Sequence, residues 1–202
     1  MEERHEKLIV GISAADGVRI GQRLLELLWK MPEVETHLVI SRAAERNFQL
    51  ECGANAADVK ALADHCYEPE DMSAAIASGS FITEGMIVAP CSMKALSAIA
   101  HGYADNLLVR AADVCLKEKR RVVLMPRETP LSLIHLRNLV TAAEAGCAIV
   151  PPMMTFYNHP EALPDQINHV VGKALMQFDL TPDCFRPWGG PQTENRRIDS
   201  WI

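Results

Sequence analysis

Two short apolar runs stop at prolines, Gly85-Met-Ile-Val-Ala-Pro90 and Val122-Val-Leu-Met-Pro126, and between them they set the architecture of this chain. The first passes into small and polar residues, Cys91-Ser-Met-Lys94, ahead of a helix-like segment; the second passes into Arg127-Glu-Thr-Pro130. Each reads as a buried strand that delivers a loop. Between them Ala104-Asp-Asn-Leu-Leu-Val-Arg-Ala-Ala-Asp113 and Leu116-Lys-Glu-Lys-Arg-Arg121 read as a helix. In an open parallel sheet, ligands sit outside the carboxyl ends of the strands, where amides in the next helix's first turn can hold an anion. Ser92 and Lys94 are placed for that, and Arg127 and Glu128 face the same prospective crevice, with Arg110 and Lys117 on the intervening helix.

The rest of the chain repeats the unit. Leu8-Ile-Val-Gly-Ile12 is a short apolar strand, and Ser13-Ala-Ala-Asp-Gly17 turns it into a helix with Ile20, Leu24, Leu27 and Leu28 near helical spacing. Strand, small-residue turn, helix is a phosphate-cradle arrangement, though alone it is a weak signal. A second strand, Thr36-His-Leu-Val-Ile40, ends at Ser41, which caps a helix running to about Leu50. A short helix over Asn55–Ala63, a polar connection over Cys66–Met72 and a return through Ala74–Ser80 lead to the third strand. A helix from Leu131 to Ala145 stops at Gly146, Ala148-Ile-Val150 makes a final strand closed by Pro151-Pro152, and Asp165 to Phe178 ends the core. Strand and helix alternating throughout predict an α/β fold: a doubly wound, Rossmann-like or flavodoxin-like parallel sheet with helices on both faces. At 202 residues one well-buried domain, residues 1–180, is the simplest reading. Residues 181–202, with the run Pro187-Trp-Gly-Gly-Pro191, read as an extended C-terminal arm whose Trp188 and Trp201 need a surface to pack against, such as a neighbouring subunit.

A formal charge of −6 argues against nucleic acid as partner, because phosphate neutralisation needs a basic face. No apolar run approaches the roughly 20 residues of a membrane span, and Met1-Glu-Glu-Arg-His-Glu-Lys7 is too charged for a signal peptide, so a cytoplasmic protein is expected. Six cysteines stand singly, without a Cys-x-x-Cys pair, and read as reduced and mostly structural, Cys91 included. The seven histidines show no ligand spacing, so no metal is expected.

The strings Gly85–Lys94, Ala104-Asp-Asn106, Arg110-Ala-Ala-Asp-Val114, Leu116-Lys117, Arg127-Glu-Thr-Pro130, Ile134-His-Leu136 and Pro151-Pro-Met-Met-Thr-Phe-Tyr157, in this order and spacing, resemble the UbiX-type flavin prenyltransferases. The resemblance runs from about Leu8 to Trp188. It implies FMN as the bound cofactor, with contacts at Ala14, Ala15, Asp16, Ser41, Ser92, Met93, Lys94, Ala95 and Arg127. Val88, Ala89 and Met93 are candidates for the apolar walls of the flavin ring. It implies dimethylallyl monophosphate as second substrate, held by Arg110, Lys117, Tyr157 and Lys173, with Arg127 and Glu128 beside the reacting centre. A leaving phosphate needs cations more than a nucleophilic side chain, which suits a set rich in Arg and Lys. The resemblance further implies that Glu51 and Glu128 assist proton transfers, that the product serves a partner decarboxylase of the UbiD type, and that the chain forms a homo-oligomer, a dodecamer with sites between subunits. Read from the residues alone, Glu51 is equally a solvated helix-end carboxylate, and Glu128 an ion-pair partner of Arg127 or Arg110.

Four positions, Ala14, Asp16, Ala95 and Lys173, depart from the family pattern. Its first turn typically reads Gly-Ala-Ser-Gly where this chain has Ala14-Ala-Asp-Gly17, so Asp16 stands at an active-site serine and brings charge, which Arg19 is positioned to offset. Asp16 either lies by the flavin, as that serine does, or caps its own helix. Lys173 replaces a usual arginine, keeping the charge and losing the planar fork, and Ala95 replaces a threonine. Two other functions suit the same fold: oxidative decarboxylation of a cysteine-containing substrate, and non-catalytic FMN binding within a decarboxylase assembly. The retained anion-binding residues exceed what the former needs.

Overall fold

The computed structural model describes residues 6–190. Its strands are β1 (Glu6–Ile12), β2 (Val34–Ile40), β3 (His65–Tyr67), β4 (Gly85–Cys91), β5 (Arg121–Pro126) and β6 (Cys147–Ile149), and its α-helices are α1 (Val18–Leu28), α2 (Arg42–Asn47), α3 (Ala56–Lys60), α4 (Met93–Ala100), α5 (Leu107–Lys117), α6 (Leu133–Glu144) and α7 (Leu163–Leu175). All strand pairs are parallel, in the order β3-β2-β1-β4-β5-β6. The doubly wound parallel sheet expected from the alternating pattern is the one observed.

Both faces of the central strands are covered, which is why they read as unbroken apolar runs rather than alternating ones. Period-2 geometry sorts their side chains between two cores. Leu8, Val10 and Ile12 of β1, Ile87 and Ala89 of β4, and Val123 and Met125 of β5 pack with α1 and α7. Ile9, Met86, Val88, Cys91, Val122 and Leu124 pack on the opposite face with α4 and α5. In α1, Leu24, Leu25 and Leu28 are fully buried, and at about 1.5–3 kcal/mol per buried side chain this packing, not propensity, fixes the helix. Gly21 permits the approach: a Cβ there would stand 2.3 Å from the Ala89 carbonyl oxygen of β4.

Helix starts follow the side chains available at each turn. Ser41, Asn55, Ser92, Asn106 and Ser132 cap α2, α3, α4, α5 and α6, each accepting from an amide of the first turn. The segment after Ser41 departs from the expected single helix: α2 ends at Asn47 and Phe48–Cys52 widens into a π-helical turn. The third strand in sequence is β3, where a polar connection over Cys66–Met72 was expected; the run Gly85–Cys91 is the fourth. β3 escapes a reading by apolar pattern because it is three residues long, lies at the sheet edge and has two exposed residues. Asp64 anchors it, its Oδ2 accepting from the Thr36 amide and hydroxyl at 2.8 Å each. Among the described residues no helix is long and apolar enough to cross a membrane.

Candidate functional site

The chain moves outward from β1 to β2 and β3, then returns to pair β4 on the other side of β1. At such a reversal the loops leaving neighbouring strands part and open a crevice at the carboxyl ends. Here that crevice is a cleft of about 570 Å³ lined by Ala14, Ala15 and Asp16 after β1, Ser92 and Met93 after β4, Pro126 to Thr129 at the end of β5, and Pro151 to Met153 after β6, with Leu131 and Leu139. Ser13 joins two of these loops. Its hydroxyl donates to the Pro90 carbonyl at 3.0 Å and accepts from the Ser92 amide at 2.8 Å. Ser13 was not singled out as a site residue, and its only signal is a buried small polar residue at a strand end.

Asp16 is turned neither into its own helix nor toward Arg19. Gly17, at φ 93°, is the N-cap of α1 and provides no side-chain cap, while Arg19 donates to Gln22. Arg127 is the cation that meets Asp16: its Nη2 pairs with the carboxylate and its Nε donates to the Asp16 carbonyl at 3.1 Å. The pair crosses from β5 to the first turn and lies over Gly17, where a Cβ would come within 3.2 Å of Arg127 Nε. Ala14 is not among the non-glycine residues at positive φ, so alanine fits there without backbone strain. Glu128 also faces the cleft, its Oε1 accepting from the Thr129 amide at 2.9 Å; neither Arg127 nor Arg110 pairs with it.

Glu51 lies on the π-helical turn. Its Oε2 accepts from the Gly17 amide at 2.9 Å and the Val18 amide at 3.1 Å, supplying from a distant segment the cap that α1 lacks. It is therefore neither a free solvated carboxylate nor placed in the lining of the cleft. The donors at the start of α1 are thus occupied by a protein carboxylate. At the start of α4, Ser92 Oγ accepts from the Ala95 amide at 3.2 Å, and the amides of Met93 and Lys94 have no partner among the described residues. That end is the open one for an anion, with the helix dipole favouring negative charge.

The other expected contacts divide by position. Ser41 caps α2 and binds the Ile12 carbonyl through its own amide at 2.9 Å; it does not line the cleft. Lys94 is exposed on α4 and Ala95 is buried beneath it. Val88 and Ala89 are fully buried within the two cores, so they cannot wall a ring; Met93, Leu139, Pro151 and Met153 provide the apolar lining instead. Cys91 is fully buried and burial pushes its thiol far up, as expected of a structural cysteine. All six cysteines are free.

Tyr157 and Lys173 come together through a residue that sequence reading passed over. His169, one turn before Lys173 on α7, is buried, and its Nε2 lies 3.2 Å from the Tyr157 hydroxyl. Burial and the neighbouring Lys173 ammonium hold its pKa below the ordinary value, so it is neutral near pH 7. Trp188 meets the Tyr157 ring edge-on at 5.5 Å, and Phe185 packs on Gly172. Arg110 and Lys117 are not brought to the cleft in this chain. Arg110 pairs with Asp113 at 2.7 Å and donates to the Ala77 carbonyl at 3.2 Å, and Lys117 pairs with Glu118 beside Gly79.

No linear spacing suggested metal ligands, yet the parallel register of β2 and β3 sets His37 beside His65, and Glu35 joins them with ligand atoms all within 4.8 Å. The cluster lies toward the amino ends of these strands, away from the cleft.

Comparison with known proteins agrees with this fold. The model of the flavoprotein family matches residues 1–177. A probable UbiX-like flavin prenyltransferase of Sedimentibacter hydroxybenzoicus is 53% identical over 188 residues, covering 93% of this chain and 100% of that protein. The crystal structure of a dodecameric FMN-dependent UbiX-like decarboxylase from Escherichia coli O157:H7 is 54% identical, with a TM-score of 0.89 over 91% of this chain and 100% of that one. The structure of AnUbiX (PadA1) in complex with FMN and dimethylallyl pyrophosphate is 44% identical, with a TM-score of 0.90 over 94% of this chain and 100% of that one. A half-identical sequence over the whole fold, with a cleft at the β1/β4 reversal, places this chain in the flavoprotein family, among the UbiX-like flavin prenyltransferases.

Proposed function

We propose that this chain is a flavin prenyltransferase that joins the dimethylallyl group of dimethylallyl monophosphate to N5 and C6 of reduced FMN. The observation that carries the reading is the cleft itself. It combines, in a volume of about 570 Å³, an apolar lining with Arg127, Glu128 and the open amides of α4, and it offers no Ser-His-Asp constellation among its lining residues. Reduced FMN supplies the two ring atoms that accept the prenyl carbons, and inorganic phosphate leaves. The Met93 and Lys94 amides and the Lys94 ammonium stabilise a phosphate at the cleft's edge. Arg127 offers a second positive centre, partly compensated by Asp16. Glu128 keeps one carboxylate oxygen free of the Thr129 amide and can carry a proton at the reacting end. His169 orients the Tyr157 hydroxyl, and Lys173 adds charge beside it.

The same reading extends to partners and place. The prenylated flavin would serve a UbiD-type decarboxylase, the assembly would be a homo-oligomer such as a dodecamer, and the protein would act in the cytoplasm. Residues 1–180 would form one domain, with residues 181–202 an arm whose start, through Phe185 and Trp188, already packs near α7; Trp201 lies outside the described residues.

The test is incubation of the purified protein with reduced FMN and dimethylallyl monophosphate, followed by mass analysis of the extracted flavin. A flavin heavier by one prenyl unit is expected. Unmodified FMN recovered from protein that demonstrably binds it would reject the transferase reading and leave FMN binding alone.

A further inference from the structure

We propose that Glu35, His37 and His65 form a binding site for a divalent transition-metal ion of the zinc class, at the sheet edge opposite the cleft. The inference is independent of the flavin chemistry.

Strand geometry assembles the three ligands. Glu35 and His37 are two residues apart on β2 and point to one face, and His65 is the direct neighbour of His37 in the β2–β3 register. Both imidazole Nε2 atoms lie 3.1 Å from one oxygen, Glu35 Oε1. Ligand atoms of a tetrahedral zinc ion with bonds near 2.0–2.1 Å are separated by about 3.3–3.4 Å, so two edges of that polyhedron are already close to size. The carboxylate oxygen and two imidazole nitrogens are also the donor set that zinc, cobalt and nickel prefer over magnesium or calcium.

His37 is the independent pointer to a ligand. It is 1% exposed, and its buried Nε2, 3.1 Å from Glu35 Oε1, makes no well-directed hydrogen bond among the described residues. A buried polar nitrogen left in that state costs stability unless something binds it. Its other nitrogen, Nδ1, lies 3.0 Å from the Tyr67 hydroxyl. With Nδ1–H donating to Tyr67, the Nε2 lone pair faces the centre of the cluster, the outer-sphere arrangement that orients metal-binding histidines. The edge of Phe81 packs against the ring and closes one side.

Two adjustments accompany binding. The His37 and His65 rings are stacked at 4.8 Å, so the exposed His65 must turn to aim its nitrogen at the ion. The Lys7 ammonium, 3.9 Å from Glu35 Oε1, must yield to the incoming charge. The consequence is a further cross-link between β2 and β3, added to their three residue pairs and the Asp64–Thr36 hydrogen bonds.

The experiment uses the whole protein, stripped with a chelator and titrated with Zn²⁺ by calorimetry and with Co²⁺ by absorption. One ion per chain and a raised thermal midpoint are expected. His65→Ala should weaken binding tenfold or more and abolish the thermal shift while leaving FMN binding intact, because His65 is an exposed edge residue away from the cleft. Glu35→Gln should weaken binding in the same way. No binding by the unaltered protein, equal binding by His65→Ala, or a thiolate-to-cobalt charge-transfer band, which would put the ion on cysteine, would each overturn the proposal.

Discussion

Asp16 carries a negative charge into a cleft built for anions, and the structure answers that charge with Arg127. Two opposite effects follow from removing it. Asp16→Ser frees the guanidinium for a ligand phosphate, but it also removes one of the contacts that position Arg127. The second effect is the smaller, because Arg127 Nε is held by the Asp16 backbone carbonyl, which survives the substitution. Exposed ion pairs are worth about 0.2–1 kcal/mol, so anion affinity should rise by roughly 1.4- to 5-fold, read by titrating reduced FMN and dimethylallyl monophosphate separately. Weaker binding of both would mean that the carboxylate positions Arg127 more than it neutralises it. The linear sequence pointed Ser92, Arg127 and Glu128 toward one crevice, whose lining they share here, because strand ends in a parallel sheet converge by topology; it left Asp16 between the flavin and its own helix cap. It misjudged who pairs with whom: Arg19 is near in sequence, whereas Arg127 is near in space through the β1–β4–β5 pairing. His169 was invisible for a related reason, since its role depends on Tyr157 folding back over α7.

Elements were legible in proportion to their burial. The runs that became β1, β2, β4 and β5 are apolar because both of their faces are covered, and the Ser and Asn residues before most helices announced those starts. β3 offered neither signal, being short, polar and held by Asp64 rather than by a core. Removing that strand from the order leaves five strands arranged 2-1-3-4-5, the flavodoxin-like order; including it gives 3-2-1-4-5-6, the Rossmann order. Helix α1 was foreseen, but its cap was not, since Glu51 reaches Gly17 and Val18 from across the fold. Loss of a helix cap typically costs about 1 kcal/mol, and Glu51→Ala should lower the urea unfolding free energy by that order. Glu51→Gln retains an acceptor oxygen and should lose less. If the carboxylate serves only the helix, both variants keep the prenyl-transfer rate; a rate loss in Glu51→Gln without a stability loss would assign Glu51 to the chemistry.

At the scale of the whole molecule, one chain does not bring together all the cations that the resemblance implies for the prenyl phosphate. Arg110 and Lys117 project from α5 toward Ala77 and Gly79, outside the cleft's lining. At the same time α6 exposes Leu133, Ile134, Leu136 and Val140, and the segment after β6 exposes Met153, Met154 and Phe156 beside the cleft. Apolar surface of that kind marks an interface more often than a solvated face. In the proposed homo-oligomer, neighbouring chains would cover these residues and each cleft would borrow Arg110 and Lys117 from another chain. Subunit mixing tests this directly. Lys117→Ala and Glu128→Gln should each depress prenyl transfer when expressed alone. Co-expressed in equal amounts, random pairing would restore about one site in four, because one chain then supplies the intact glutamate and its neighbour the intact lysine. Sites contained within single chains would stay defective in every combination, so activity no higher than the mean of the two single variants would refute the shared site.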